Sequence, residues 1–236
     1  MFLAKITDFR EKNLSEKENL TKKRQKQRNV LSIFIKKPVN YLVNHKISPN
    51  LLSYGGFLCS LLASIFLGFG FLSGGIIISW LPPFFIFFAG AFDIFDGAVA
   101  RKLDRDNPSG AFLDSNLDRI SDASIILGLT YGKLLNYTAA YILLFTTLMI
   151  SYTRARAENE GVNMKGIGLM ERADRIIIFI FALSIEGWFI QIYLWNNENY
   201  TNLFFTVFIV IYFVLLVITL LHRIIHTFQK LQKDKI

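Results

Sequence analysis

Residues 76–101 read IIISWLPPFFIFFAGAFDIFDGAVAR, and the two halves of that stretch answer different questions. The first, 76–92, carries no charge, and roughly 17–25 apolar residues at 1.5 Å rise are what a helix needs to cross a bilayer core. The second, from Asp93 to Arg101, packs two carboxylates and an arginine into nine residues. A span that ends in charge sets the class: a membrane protein whose polar business lies at one end of its helices. The Pro82-Pro83 pair is expected to kink this span.

Working outward, 51–71, 134–152, 176–194 and 203–221 are four further apolar runs. Segment 111–132 differs, because its second half is apolar while its first half carries Asp114, Asp118, Arg119 and Asp122. Connectivity requires it to cross, since the flanking loops otherwise fall on the wrong sides. The reading is an all-α integral membrane protein with six transmembrane helices. Composition agrees: 53% of the 236 residues are hydrophobic and only 19% charged, which excludes a disordered chain. The single cysteine, Cys59, excludes a disulfide scaffold, a cysteine zinc site and an iron–sulfur cluster.

Residues 1–46 hold 12 Lys/Arg against 4 Asp/Glu, and the 101–109, 153–175 and 222–236 segments are also basic. The alternate connections contain one basic residue, Lys133. This asymmetry predicts that both termini and the charged helix ends are cytosolic. It also accounts for the net charge of +8 without a nucleic-acid partner. The expected organisation is a basic cytosolic tail (1–29), an amphipathic juxtamembrane helix (30–46) bent or broken at Pro38, a six-helix domain (47–222) and a cytosolic tail (223–236). No signal peptide is expected, because 1–28 lacks an apolar core.

At 100° per residue, positions 93, 96, 97, 100 and 101 fall within an arc of about 140°, and Gly110, Asp114, Asp118 and Asp122 share one of about 120° on the next helix. A short polar loop with Asn107-Pro108-Ser109 joins the two, so the acidic faces can meet. Converging carboxylates at a membrane boundary demand a cation. Oxygen ligands alone select a hard ion, Mg²⁺, Mn²⁺ or Ca²⁺. Basic surroundings with such an ion point to a phosphorylated substrate. Gly97 and Ala100 leave room beside the acids, for close helix packing or for a ligand.

Asp93-x-x-Asp96-Gly97-x-x-Ala100-Arg101-x8-Gly110-x3-Asp114-x3-Asp118 resembles, at every position, the signature of the CDP-alcohol phosphotransferases. The resemblance implies that an acceptor hydroxyl displaces CMP from a CDP-linked lipid. It implies that Asp93, Asp96, Asp114 and Asp118 hold a pair of Mg²⁺ or Mn²⁺ ions, with Asp118 also the general base. Ser48-Pro49-Asn50-x-x-Ser53 resembles a nucleotide-proximal element of that family, which places Pro49, Asn50 and Ser53 with Gly97, Ala100, Arg101 and Gly110 at the CDP-lipid. A homodimer is implied as well. Asp122 is expected to pair with Arg119 or with a neighbouring helix.

The acceptor is read from a second cluster: Ser151-Tyr152-Thr153-Arg154-Ala155-Arg156-Ala157-Glu158, a glycine-containing loop, Glu171-Arg172-Ala173-Asp174-Arg175, and Arg223. Anchoring to headgroups accounts for most helix-end arginines. This pattern, however, resembles the inositol-phosphate branch of the family, the archaetidylinositol and phosphatidylinositol phosphate synthases. That resemblance implies that Arg154, Arg156, Arg172, Arg175 and Arg223 receive inositol phosphate, while the lipid is CDP-archaeol or CDP-diacylglycerol. Arg154 and Arg156 lie about 200° apart on a helix and cannot both face one pocket. Other acceptors (glycerol phosphate, serine), a soluble CDP-inositol donor and, outside enzymes, a divalent-cation transporter are the rival readings. Missing inverted repeats and the helix-end position of the aspartates argue against transport. His222 and His226 are expected to be interfacial, and Trp80, Trp188 and Trp195 to form an outer aromatic belt. Glu186 is expected to make a helix-facing hydrogen bond or to lie near the outer interface.

Overall fold

The computed structural model describes residues 35–103, 108–196 and 200–233, and among them there are helices and connections but no strand. The expectations for the 1–29 tail, for the start of the juxtamembrane helix and for Asn107 fall outside the described residues. The elements are α1 (35–44), α2 (Pro49–Gly68), a 3₁₀ turn (Phe71–Ser73), α3 (Ile76–Ser79), α4 (Leu81–Lys102), α5 (Pro108–Tyr131), α6 (Tyr137–Asn159), α7 (Arg172–Trp195) and α8 (Leu203–Lys233). α1 is continuous through Pro38, so the expected break is absent. Buried Val39 anchors it against Leu52 and Val99.

Local chemistry sets the boundaries. Ser48 caps α2, its hydroxyl accepting from the Leu51 amide with Pro49 at the first helical position, where a missing N–H costs nothing. Instead of kinking one span, the proline pair starts a new helix: the chain breaks at Trp80 and α4 opens with Pro82 and Pro83 in its first turn. Asn136 caps α6 through the Ala139 amide at 2.8 Å. α8 runs through position 222 to Lys233 without a boundary there, because its apolar pattern does not stop where the charges begin.

α2 packs most extensively against α4 and α5; α7 lies across α4, and α8 lies against α6. The α2–α5 approach depends on Gly128, where a Cβ would sit 2.4 Å from the Ser64 carbonyl oxygen. The Ser64 hydroxyl donates to the Ser124 carbonyl across the same seam. Leu67, Leu129, Leu183, Phe205 and Leu216 fill the core between the helices.

Four stretches are long and apolar enough to cross a membrane: Pro49–Gly68, Ile76–Lys102, Arg172–Trp195 and Leu203–Gln232. The protein is therefore multi-pass. α5 and α6, with 24 and 23 residues, match the others in length but not in hydropathy. The acids in the first half of α5 and Arg154, Arg156 and Glu158 at the end of α6 account for the shortfall from the six expected. At the opposite end from these charges, fully buried Glu186 accepts a hydrogen bond from the Tyr200 hydroxyl at 2.7 Å, as a helix-facing carboxylate requires. Burial and that carboxylate push the Tyr200 phenol above its ordinary range. Trp80, Trp188 and Trp195 are exposed.

Candidate active site

The last three turns of α4 and the first half of α5 bring the aspartates together. One oxygen from each of Asp93, Asp114 and Asp118 lies within 4.8 Å of the others. Asp96 is buried and stands slightly apart, with its Oδ2 accepting from the Ser53 hydroxyl at 2.7 Å. All four line one small cavity with Ser53, Gly56 and Arg172. The donor set is carboxylate oxygen from two antiparallel helices, which fits a hard divalent cation and no softer one.

The opening of α7 supplies the balancing charge. Glu171 and Asp174 form a capping box, with the Glu171 amide donating to Asp174 at 3.0 Å. That cap fixes Arg172 and Arg175 in the first turn, three residues apart and on one face. Two arginines at a helix N-terminus oppose the helix dipole, so their partners must lie on other elements. Arg172 Nη1 donates to Asp93 Oδ1 at 2.6 Å and lies 2.8 Å from Asp118 Oδ1. Asp122 lies 3.9 Å from Arg172 Nε and 3.6 Å from Arg175 Nη2, so of the two partners expected for it the neighbouring helix is the one found. Arg119 turns instead to Ser115, to its carbonyl and to its hydroxyl.

Two larger cavities flank the aspartates. One, of about 380 Å³, is lined by Pro49, Asn50, Ser53, Asp96, Gly97, Ala100, Gly110 and Asp114. These include every residue assigned to the CDP-lipid except Arg101, whose guanidinium lies over Gly97 at the rim and is exposed. The other, of about 390 Å³, is lined by Asp114, Asp118, Arg154, Arg172, Arg175 and Arg223 among its polar residues.

Arg156 stands apart from the other four. It does not line this cavity but pairs with Glu160 on the exposed face of α6, as the 200° separation from Arg154 requires. Arg154 pairs with Glu158 at 2.9 Å and stays at the cavity wall. Arg223 is buried and donates to the Ile167 and Ile150 carbonyls at 3.0 and 2.9 Å, stapling α8 to the glycine loop and to α6. Gly168, at φ +120°, permits that staple, since a Cβ there would lie 3.2 Å from Arg223 Nε. Tyr212 was not singled out from the sequence. It is buried on α8 and closes a pocket of about 50 Å³ with Asp122, Arg172 and Arg175. Its only signal is a hydroxyl in an otherwise apolar run.

Residues 46–229 match the family model described as CDP-alcohol phosphatidyltransferase. The chain belongs to that family. It is an enzyme of a metal-dependent class, and the acidic cluster is where such a metal fits. Over 150 residues, 63% of this chain and 75% of the relative, it is 40% identical to the archaetidylinositol phosphate synthase of Pyrococcus horikoshii. It is 40% identical over 114 residues (46% of this chain, 53% of the relative) to the phosphatidylinositol phosphate synthase of Cutibacterium acnes. Among solved structures it is similar to the phosphatidylinositol phosphate synthase of Mycobacterium tuberculosis with CDP-DAG bound. That match has a TM-score of 0.64 and 25% identity, covering 82% of this chain and 92% of that one. A structure of the same mycobacterial synthase in complex with manganese and citrate matches with a TM-score of 0.65, 25% identity and coverage of 82% and 88%.

Proposed function

We propose that this CDP-alcohol phosphatidyltransferase transfers the lipid-phosphoryl group of CDP-archaeol or CDP-diacylglycerol to inositol phosphate, releasing CMP. The observation that carries this reading is the arginine-lined cavity that shares Asp114 and Asp118 with the acidic cluster. A cavity lined by five arginines, Arg119 besides the four assigned to the acceptor, favours an acceptor that brings its own phosphate, because planar arginine forks bind phosphate oxygens in pairs. Free inositol gives those charges nothing to meet, and serine offers only a single carboxylate beside its own ammonium. The names of the relatives support the same acceptor.

In this reading Asp93, Asp96, Asp114 and Asp118 hold two divalent ions, Mg²⁺ or Mn²⁺. Such ions, when bound, neutralise charge on the pyrophosphate and the departing CMP. Pro49, Asn50 and Ser53 at the start of α2, with Gly97, Ala100 and Gly110, make the nucleotide side, and Arg101 at its rim meets phosphate charge. On the other side Arg154, Arg172, Arg175 and Arg223 orient inositol phosphate. Its hydroxyl oxygen attacks the lipid-bearing phosphorus, the bond from that phosphorus to the CMP oxygen breaks, and the hydroxyl proton passes to Asp118.

We further propose that α5 and α6 also span the bilayer, giving six crossings with both termini and the site cytosolic. Their exposed apolar side chains, including Leu127 and Tyr131 on α5 and Tyr141, Phe145 and Leu148 on α6, suit a lipid-facing surface. The basic character of the segments flanking the site supports the orientation.

The test is CMP release by the purified chain with Mg²⁺ and either CDP-lipid, comparing inositol phosphate, glycerol phosphate, serine and free inositol. Inositol phosphate is expected to be preferred by roughly tenfold or more over serine and free inositol, the worth of one well-placed charge-assisted contact, and glycerol phosphate tests whether the ring is read besides the phosphate. Preference for serine or free inositol would show that the arginines serve another purpose.

A further inference from the structure

Arg172 does more than line the acceptor cavity. Its Nη1 is 2.6 Å from Asp93 Oδ1 and 2.8 Å from Asp118 Oδ1, and both residues belong to the three-carboxylate cluster. Its buried Nε has no hydrogen-bond partner and is 3.9 Å from Asp122 Oδ1. One guanidinium therefore touches the acidic cluster at one edge and the arginine cavity at the other. Arg175, three residues on, behaves differently: its ion pair among the described residues is with Asp122 alone.

We infer that Arg172 is an exchangeable counter-ion, which yields Asp93 and Asp118 to a divalent cation and then presents its guanidinium to the acceptor phosphate. The inference rests on the proposed metal and acceptor reading and deepens it. A guanidinium and a dication compete for the same carboxylate oxygens, since the two cations repel and each is worth less to a charge the other already neutralises. A side chain displaced from Asp93 and Asp118 stays close by, because Asp122 flanks its Nε and the α7 cap fixes its backbone. The nearest uncompensated anion is then whatever enters the cavity that Arg172 already lines. Metal and phosphate binding become positively linked, and by reciprocity each strengthens the other. Order of loading follows: an acceptor phosphate meets its full set of arginines only in the metal-loaded protein.

The test uses the full chain in detergent or nanodiscs, without turnover. Free Mn²⁺ is read by electron paramagnetic resonance, and inorganic phosphate binding is read by calorimetry. Arg172→Gln is expected to bind Mn²⁺ at least about fivefold tighter than wild type, the lower end of ordinary coupling, while binding phosphate more weakly. Arg175→Gln is expected to weaken phosphate binding alike but to leave the Mn²⁺ affinity within about twofold of wild type, because its ion pair is with Asp122 and not with the three-carboxylate cluster. Arg172→Lys keeps the charge yet lacks the fork. It is expected to fall between wild type and Arg172→Gln, and it serves if the glutamine variant does not fold by its melting curve. Mn²⁺ affinity in the Arg172 variants equal to or weaker than wild type overturns the exchange. Wild type that binds no Mn²⁺, or Asp114→Asn that binds it as well as wild type does, overturns the metal reading itself.

Discussion

The cavity between α2, α4 and α5 and the cavity bounded by α5, α6, α7 and α8 are nearly equal in volume, about 380 and 390 Å³, and share Ala111 and Asp114. Their walls differ. Glycine, alanine, proline and short polar side chains line the first, whereas five arginines line the second. Small residues recognise by leaving space for a large, rigid partner; arginines recognise by charge and fork geometry. α5 faces both cavities and carries Asp114 and Asp118 between them, so two substrates of unlike shape can meet at one line of carboxylates. In the proposed reading the difference makes selectivity for the activated lipid and selectivity for the acceptor separable.

Each prediction breaks or sharpens that separation. Asp118→Asn sits at the boundary and should harm the reaction most. CMP release is expected to fall by roughly 10²–10⁴-fold, the range for losing a positioned proton acceptor, with CDP-lipid still bound. Retention of more than a tenth of wild-type activity would remove Asp118 from the chemistry. Arg154→Ala touches the arginine cavity alone. Because this arginine is half-exposed and shared with Glu158, the acceptor KM is expected to rise only about three- to tenfold, with the CDP-lipid KM unchanged. Gly128→Ala strikes neither cavity: its Cβ meets the Ser64 carbonyl at 2.4 Å. A stability loss of about 1–3 kcal/mol is expected as a lower melting temperature, with both KM values intact in the folded fraction. Arg156→Ala should do least, within about twofold on either KM, as an exposed helix pair usually does. An acceptor KM that rises with Arg156→Ala as much as with Arg154→Ala would return Arg156 to the site.

Much of this division was legible because helix period and spacing fix which residues share a face. Asp93 with Asp96, Asp114 with Asp118, and the divergence of Arg154 from Arg156 all follow from 100° per residue. Contacts between distant segments were not legible. Arg172 is 79 residues from Asp93, and no local pattern states that its guanidinium reaches the aspartates. Arg223 reads as a helix-end cation until Ile167 and Ile150 are seen to present carbonyls to it. Hydropathy alone does not mark α5 as a span, because its first half carries Asp114, Asp118 and Asp122. The proline pair marked its break correctly as a place but not as a kind: the chain starts a new helix where a bend was expected, since prolines fit the first turn without loss.

The most direct measurement of the central claim is the pair of KM values, for CDP-lipid and for inositol phosphate, in Gly97→Leu and Arg175→Gln. Leucine at position 97 fills the small-residue cavity and is expected to raise the CDP-lipid KM about tenfold or more, leaving the acceptor KM within about twofold. Glutamine at position 175 is expected to do the reverse, since losing one charged contact costs about 1.5–3 kcal/mol. Crossed effects of that kind support two cavities meeting at one row of aspartates. Both variants raising the same KM would contradict it.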